Sequence, residues 1–258
     1  MKTVFLSDAH LKRSTDDRYV QLLRFLADLR EGRIRSLVDA PVLGREKTQI
    51  DALYILGDFF DFWFCRPDAI HPEFQPVINA LADLQKDGVR IHLCEGNHDF
   101  FLKEYFKDVL GMEVFEEWAA VDLDGLRVLV SHGDTADRSD RLYLMFRKFL
   151  RSRFFYAIQR RLPASLLWTL ANMTSNVSKN LNDDNSEYLL GKMLSFAEEK
   201  WRENYDAVIL GHCHKPLLRN FTVAGRERTF VTLGDWIAHY SFLYGEDKKF
   251  FLSFYPPQ

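Results

Sequence analysis

Five polar clusters hold the residues best able to do chemistry: Asp8-Ala9-His10, Gly57-Asp58 with Asp61, Gly96-Asn97-His98-Asp99, Ser131-His132-Gly133-Asp134 and Gly211-His212-Cys213-His214. Gathered in one small volume, the carboxylates Asp8 and Asp58, the imidazoles His10, His132, His212 and His214, and the Asn97 amide would repel or go unsatisfied unless cations bound among them. Asp58 is the natural bridging ligand. A pair of divalent cations about 3.5–4 Å apart can activate water, align it with a phosphorus atom and neutralise charge on the transferring group. Mixed nitrogen and oxygen donors without thiolate suit Mn, Fe or Zn better than Mg or Ca. Cys213, between two candidate ligands, reads as a packed thiol pointing the other way.

A single Asp or His in such a place is usually a cap or a satisfied polar residue. The case rests on five clusters in order, each following a short apolar run. These runs lie at Thr3 to Leu6, Leu53 to Leu56, Val89 to Leu93, Leu126 to Val130 and Ala207 to Leu210, with a sixth at Thr229 to Leu233. All read as buried strands. Where the chain leaves the pleat, an Asp-x-His or His-x-His pair can turn both side chains towards one point. Neighbouring glycines permit the tight turns.

Helical stretches over Asp17 to Leu29 and Phe74 to Lys86 separate the early strands. The order strand, helix, strand, helix predicts a layered α/β domain with functional loops at the carboxyl ends of its strands. Residues 32–49, with Pro41 and Gly44, read as an irregular excursion without assigned chemistry. Residues 140–202 contain several helical stretches and no strand-like run, so they read as a helical insertion within one domain spanning residues 1–258.

Composition narrows the class. Hydrophobic residues make up 47% and charged residues 28% of the 258, which fits a globular chain. The balance of 34 Lys and Arg against 37 Asp and Glu argues against a chain devoted to nucleic acid. A carboxylate at Asp8 interrupts any signal-peptide core, and no apolar run reaches the roughly 18 residues of a membrane span. The three cysteines lack framework spacing, as expected of a reduced cytoplasmic protein. No obligate protein partner is evident.

The pattern Asp8-x-His10, Gly57-Asp58-x-x-Asp61, Gly96-Asn97-His98-Asp99, His132 and Gly211-His212-x-His214 resembles the calcineurin-like metallophosphoesterases over nearly the whole chain. The resemblance implies a sandwich of two β-sheets flanked by helices. It also implies two metal ions, one held by Asp8, His10, Asp58 and His214, the other by Asp58, Asn97, His132 and His212. His98 would then act on the substrate, and Asp99 would orient it. The flanks Leu53-Tyr54-Ile55-Leu56-Gly57-Asp58-Phe59-Phe60-Asp61-Phe62-Trp63, His132-Gly133-Asp134-Thr135 and Leu233-Gly234-Asp235-Trp236 look like the UDP-2,3-diacylglucosamine pyrophosphatases of lipid A synthesis. That narrower likeness implies Mn²⁺-dependent cleavage to UMP and the acylated sugar 1-phosphate, with residues 140–202 as a helical lid. It carries Asp140, Tyr143 and Lys179 over as substrate contacts, together with Asn97, His98 and His212. Lys179 reads equally as a solvated surface residue. One position departs: those enzymes usually carry Arg after the metal-binding Asn, whereas this chain has His98. Arg offers phosphate a permanent bidentate fork and His a proton at neutral pH, which admits another nucleotide or phospholipid diester as the substrate.

Arg141 to Arg161 carries Arg141, Arg147, Lys148, Arg151, Arg153, Arg160 and Arg161 without one Asp or Glu. Tyr143, Phe146, Phe149 and Leu150 recur at helical spacing. One reading seats that face in a lipid interface, with the basic groups on anionic head groups at the inner membrane surface. Another makes it a core-packing helix with a solvated basic face. Single-stranded nucleic acid is a weaker third, and a binding scaffold with a relic metal site is a separate, non-enzymatic reading.

Overall fold

Alternation of side chains along the strands builds two cores at once. In β1 (Thr3–Leu6), Val4 and Leu6 face one core while Phe5 faces another; in β2 (Ala52–Leu56), Leu53 and Ile55 part from Ala52, Tyr54 and Leu56 in the same way. The computed structural model describes residues 1–63, 65–162 and 183–256. Strands β1 and β2 pair in parallel with each other, and β3 (Arg90–Cys94) and β4 (Glu113–Phe115) extend the parallel run. On the far side of β1 lie β10 (Ser241–Glu246) and β11 (Lys249–Phe254), each antiparallel to its neighbour, giving a six-stranded sheet. The second sheet has the order β5-β6-β7-β9-β8, from Trp118–Leu123, Leu126–Ser131, Ala207–Leu210, Arg226–Leu233 and Pro216–Val223 respectively.

The sheets face each other across Phe5, Tyr54, Leu56, Val128, Val130, Ile209 and Val231. Helices α1 (Asp17–Arg30) and α3 (Gln75–Lys86) cover the outer face of the first sheet through Leu22, Phe25, Val77 and Leu81. Helix α6 (Asp183–Arg202) covers the second through Met193, Ala197 and Trp201. Both sheets are thus buried on two faces, which is why the central strands read as unbroken apolar runs.

Of the strands not foreseen, β5 alternates exposed and half-buried residues until its last, β8 has no fully buried residue, and β4 is only three residues long. Strand β10 is buried throughout, yet it carries Ser241, Gly245 and Glu246, which mask its apolar character. The excursion at residues 32–49 contains one helical turn, α2 (Ile34–Leu37), and a 3₁₀ turn at Pro41–Leu43. It is tied down by Arg35, whose guanidinium pairs with Glu246 of β10. Between β6 and β7 the chain forms α4 (Arg141–Leu150) and α5 (Arg153–Arg161) before α6. No helix among the described residues is long and apolar enough to cross a membrane.

Candidate metal centre

The candidate ligands all stand just past carboxyl ends of strands: Asp8 and His10 after β1, Asp58 after β2, Asn97 after β3, His132 after β6, and His212 and His214 after β7. Five of them hold the left-handed backbone region themselves, with φ of 53° at Asp8, 43° at His10, 49° at Asp58, 67° at His212 and 55° at His214. Such conformations cost non-glycine residues of order 1–3 kcal/mol each and persist where the surroundings dictate them. Here the dictation is by hydrogen bonds between loops. The Asp8 and His10 N–H groups donate to the carbonyls of Gly57 (3.1 Å) and Asp58 (2.9 Å), Trp236 N–H donates to Asp8 O (3.1 Å), and Gly211 N–H donates to His132 O (2.8 Å). Glycine is needed at Gly96 for close approach: a Cβ there would lie 2.4 Å from the Asp58 backbone nitrogen.

Each acidic ligand spends one oxygen on the scaffold and turns the other inward. Asp8 Oδ2 accepts from His212 N–H and Asp58 Oδ1 from His98 N–H, both at 2.9 Å. Asp8 Oδ1 then lies 3.5 Å from His214 Nε2, while Asp58 Oδ2 stands between His10 Nε2 at 3.6 Å and His132 Nε2 at 3.5 Å. Nitrogen and oxygen atoms of Asp8, His10 and His214 can close on one point, and those of Asp58, His132 and His212 on another. Asn97 Oδ1 joins the second group, 3.0 Å from His132 Nε2. Asp58 therefore sits at the junction of the two groups, as a bridging ligand must.

The outer nitrogen of three imidazoles is also occupied. His132 Nδ1 faces Leu56 O at 2.9 Å, so that nitrogen carries a proton and Nε2 is the one turned inward. His10 Nδ1 faces Asp61 Oδ1 at 3.7 Å and His214 Nδ1 faces Asp235 Oδ2 at 3.5 Å. Carboxylate behind histidine is the arrangement that orients metal ligands. Asp235 stands just past β9, as the ligands stand past their strands, and that position is the signal the sequence carries for it. Its own acidity is fixed locally: burial alone would raise it, but His214 and the Ala238 and His239 N–H groups hold it well below the usual carboxylate range.

Electrostatics agree with a site built for cations. Burial works against charge at Asp58, yet His132 and His98 hold it well below its ordinary value. Burial also opposes a proton on His132, which Asp58 nonetheless pushes up to about 10. Its neighbour His212, with Nδ1 only 3.2 Å from His132 Nε2, is pushed down to about 4 by burial and by His132. Two rings so close cannot both be protonated. Asp8 Oδ1 and His10 Nε2 are buried with no hydrogen-bond partner. Divalent cations fit this donor set: they would satisfy the orphaned atoms and replace the proton that the crowded imidazoles compete for.

Asp99 does something other than expected. Rather than orienting His98, its buried carboxylate accepts from the N–H groups of Gly96 (3.0 Å), Asp58 (2.9 Å), Phe59 (2.7 Å) and Phe60 (3.1 Å), locking the Asp58 loop to the Asn97 loop. Burial and the nearby Asp58 push Asp99 up to about 7. The His98 ring is held instead by the Asp61 carbonyl, 2.9 Å from Nδ1, which leaves Nε2 for a substrate.

The helices beside the centre also correct the sequence reading. Tyr143 does not share a face with Phe146 and Phe149; its hydroxyl donates to Asp134 Oδ2 at 2.9 Å, and Arg147 pairs with the same carboxylate. Arg151 donates to Glu95 Oε2 at 2.9 Å and to the carbonyls of Gly96 and Glu116, each at 2.7 Å. Arg147 and Arg151 are thus turned inward onto the loops that carry His132 and Asn97, and are not available to head groups. The outward row of α4 is Leu142, Met145, Phe146 and Phe149, continued by Phe154 and Ile158 of α5, with Leu142 81% exposed. Asp140 caps α4 by accepting from Tyr143 N–H at 2.9 Å. Lys179 lies outside the described residues.

A model of the calcineurin-like phosphoesterases matches residues 1–216. The chain belongs to that family. It is a phosphoesterase. The chain is 30% identical over 246 residues to a UDP-2,3-diacylglucosamine hydrolase of Aeromonas hydrophila subsp. hydrophila, covering 94% of each. It is 31% identical over 241 residues to the protein of the same name from Stutzerimonas stutzeri, covering 90% of each. Among solved structures, a dimetal phosphatase from Danio rerio aligns over 99% of each chain at 13% identity with a TM-score of 0.46.

Proposed function

We propose that this phosphoesterase hydrolyses the diphosphate of UDP-2,3-diacylglucosamine, giving UMP and 2,3-diacylglucosamine 1-phosphate. The observation that carries the reading is the double character of α4: its inner face grips the loops of the metal centre through Tyr143, Arg147 and Arg151, while its outer face offers Leu142, Met145, Phe146 and Phe149 to an acyl chain or a lipid surface. A helix so placed sets an apolar surface beside a diphosphate site. Helices α4 and α5 act as the lid, with Asp140 and Tyr143 near the substrate.

Asp8, His10, Asp58 and His214 hold one divalent ion, and Asp58, Asn97, His132 and His212 the other, with Mn²⁺ as the native metal. When bound, the pair activates water and offsets charge on the phosphoryl oxygens. Asp61 and Asp235 fix the rings of His10 and His214. Asp99 fixes the loop spacing. His98, anchored through Nδ1, presents Nε2 to the substrate, either to stabilise a phosphoryl oxygen or to protonate the departing sugar phosphate. The work takes place at the cytoplasmic membrane surface, where the exposed Arg141, Lys148, Arg153, Arg160 and Arg161 meet anionic lipid.

A second reading, hydrolysis of another nucleotide or phospholipid diester, draws on His98 standing where the lipid-pathway enzymes usually carry Arg. An assay of UMP release with Mn²⁺ separates the two, with His98→Arg run beside the native chain. Release at a catalytic rate supports the lipid substrate. Brisk cleavage of bis(p-nitrophenyl) phosphate with no UMP released sinks it and retains the diesterase.

A further inference from the structure

Beside the half of the centre formed by Asp8, His10 and His214 lies an open cleft of about 700 Å³, with a first wall from Lys12, Arg13 and Arg18 and a second from Ile237 and Tyr240. Its volume is that of an ordinary small-molecule site. Both walls hang on the carboxylates behind the metal-site histidines. On one side Lys12 Nζ lies 3.6 Å from Asp61 Oδ2, and Asp61 is the partner of His10. On the other, Ile237 N–H donates to Asp235 Oδ1 at 2.9 Å, and Asp235 is the partner of His214. Both walls of the cleft are therefore tied to histidines of the metal centre.

The opposite half of the centre is taken by α4, whose arginines hold the loops of Asn97 and His132. The order across the molecule is α4, the Asn97–His132–His212 group, Asp58, the Asp8–His10–His214 group, and then the cleft. An extended diphosphate laid along this order points one substituent towards α4 and the other towards the cleft. The one that leaves towards α4 meets apolar side chains. The other meets Lys12, Arg13, Arg18, the ring of Tyr240 and the side chain of Ile237.

We propose that this cleft is the subsite for the nucleoside monophosphate half of the substrate, with the cations serving the phosphate and the Tyr240–Ile237 wall the base; this rests on the reading under Proposed function. Its chemistry suits that ligand. The cationic side chains outnumber the two acidic ones present, Asp16 and Asp17, and Asp16 is engaged in accepting from Arg13 N–H at 3.4 Å and in pairing with Arg18 at 3.9 Å. Tyr240 holds a left-handed φ of 50°, unusual for an aromatic residue, and its carbonyl is fixed by Tyr255 N–H at 2.8 Å. A bulky residue held in that conformation marks a position that the surroundings impose on the chain.

The test is to titrate the Mn²⁺-loaded protein with UMP and, separately, with detergent-solubilised 2,3-diacylglucosamine 1-phosphate, using the native chain, the double variant Arg13→Gln/Arg18→Gln, and Tyr240→Asn. Loss of ion pairing to the phosphate should weaken UMP by about tenfold in the double variant while the sugar phosphate stays within about twofold. Tyr240→Asn, which tolerates the same backbone conformation, should weaken UMP alone. Unchanged UMP affinity in both variants, equal weakening of both ligands, or no UMP binding by the native chain would overturn the assignment. Failure of the parent reading looks different: UDP-2,3-diacylglucosamine is not hydrolysed, yet UMP binding still depends on Arg13, Arg18 and Tyr240.

Discussion

At the strand ends the atoms left without partners are polar and buried, Asp8 Oδ1 and His10 Nε2, whereas on α4 and α5 the groups that water serves poorly are apolar and exposed, from Leu142 to Phe154. Charged residues are handled oppositely in the two regions. In the centre, carboxylates and imidazoles point at one another across gaps of 3.5 to 3.6 Å, too long for good hydrogen bonds. On α4 and at its C-cap, Arg147 and Arg151 are paired within hydrogen-bonding distance to Asp134 and Glu95. The first region calls for cations, the second for an apolar partner. The arginines are the joint between them.

That joint is the place to break the contrast. Arg151→Gln should leave the buried Glu95 carboxylate without its counter-ion, with the Leu102 N–H still donating to it, a loss of about 3–5 kcal/mol for a desolvated pair. A melting temperature equal to the native one would mean that α4 is not anchored through this contact. A smaller effect is expected behind His214: Asp235→Asn keeps the shape but weakens the hold on the ring, and should cost about 10–100-fold in Mn²⁺ affinity by calorimetry. The gentlest test concerns the outer face. Phe146→Ser/Phe149→Ser should lower partitioning onto anionic vesicles by about tenfold, the scale of losing partly buried aromatic surface, while leaving Mn²⁺ affinity at the native value. A fall in metal affinity instead would show that these side chains pack inward.

The centre was legible in the sequence because its residues are local clusters at the ends of strongly apolar strands, and position alone brings them together. Asp58 at the junction of the two groups followed from the same pattern. The partners that decide orientation were not legible. Asp99 follows His98 directly in sequence, yet its carboxylate turns to the Phe59 and Phe60 amides, because a buried carboxylate seeks the largest set of N–H donors within reach. On α4 the apolar pattern was read one residue out of phase: Tyr143 counts as apolar in a periodicity, but its hydroxyl is drawn to Asp134, and the outward row falls on Leu142 and Met145. Strands β5 and β8 were missed for the opposite reason, having too little burial to give an apolar run. The excursion at residues 32–49 owes its place to Arg35 reaching Glu246, a contact more than 200 residues away in sequence that no local pattern announces.

The central claim is that two divalent ions share Asp58. The most direct test is Mn²⁺ stoichiometry with electron paramagnetic resonance on the native chain and on Asp58→Ala. Two ions per native chain with a spin-coupled signal, reduced in the variant to uncoupled Mn²⁺ and no turnover, is the result this account predicts; two coupled ions and undiminished hydrolysis in Asp58→Ala would contradict it.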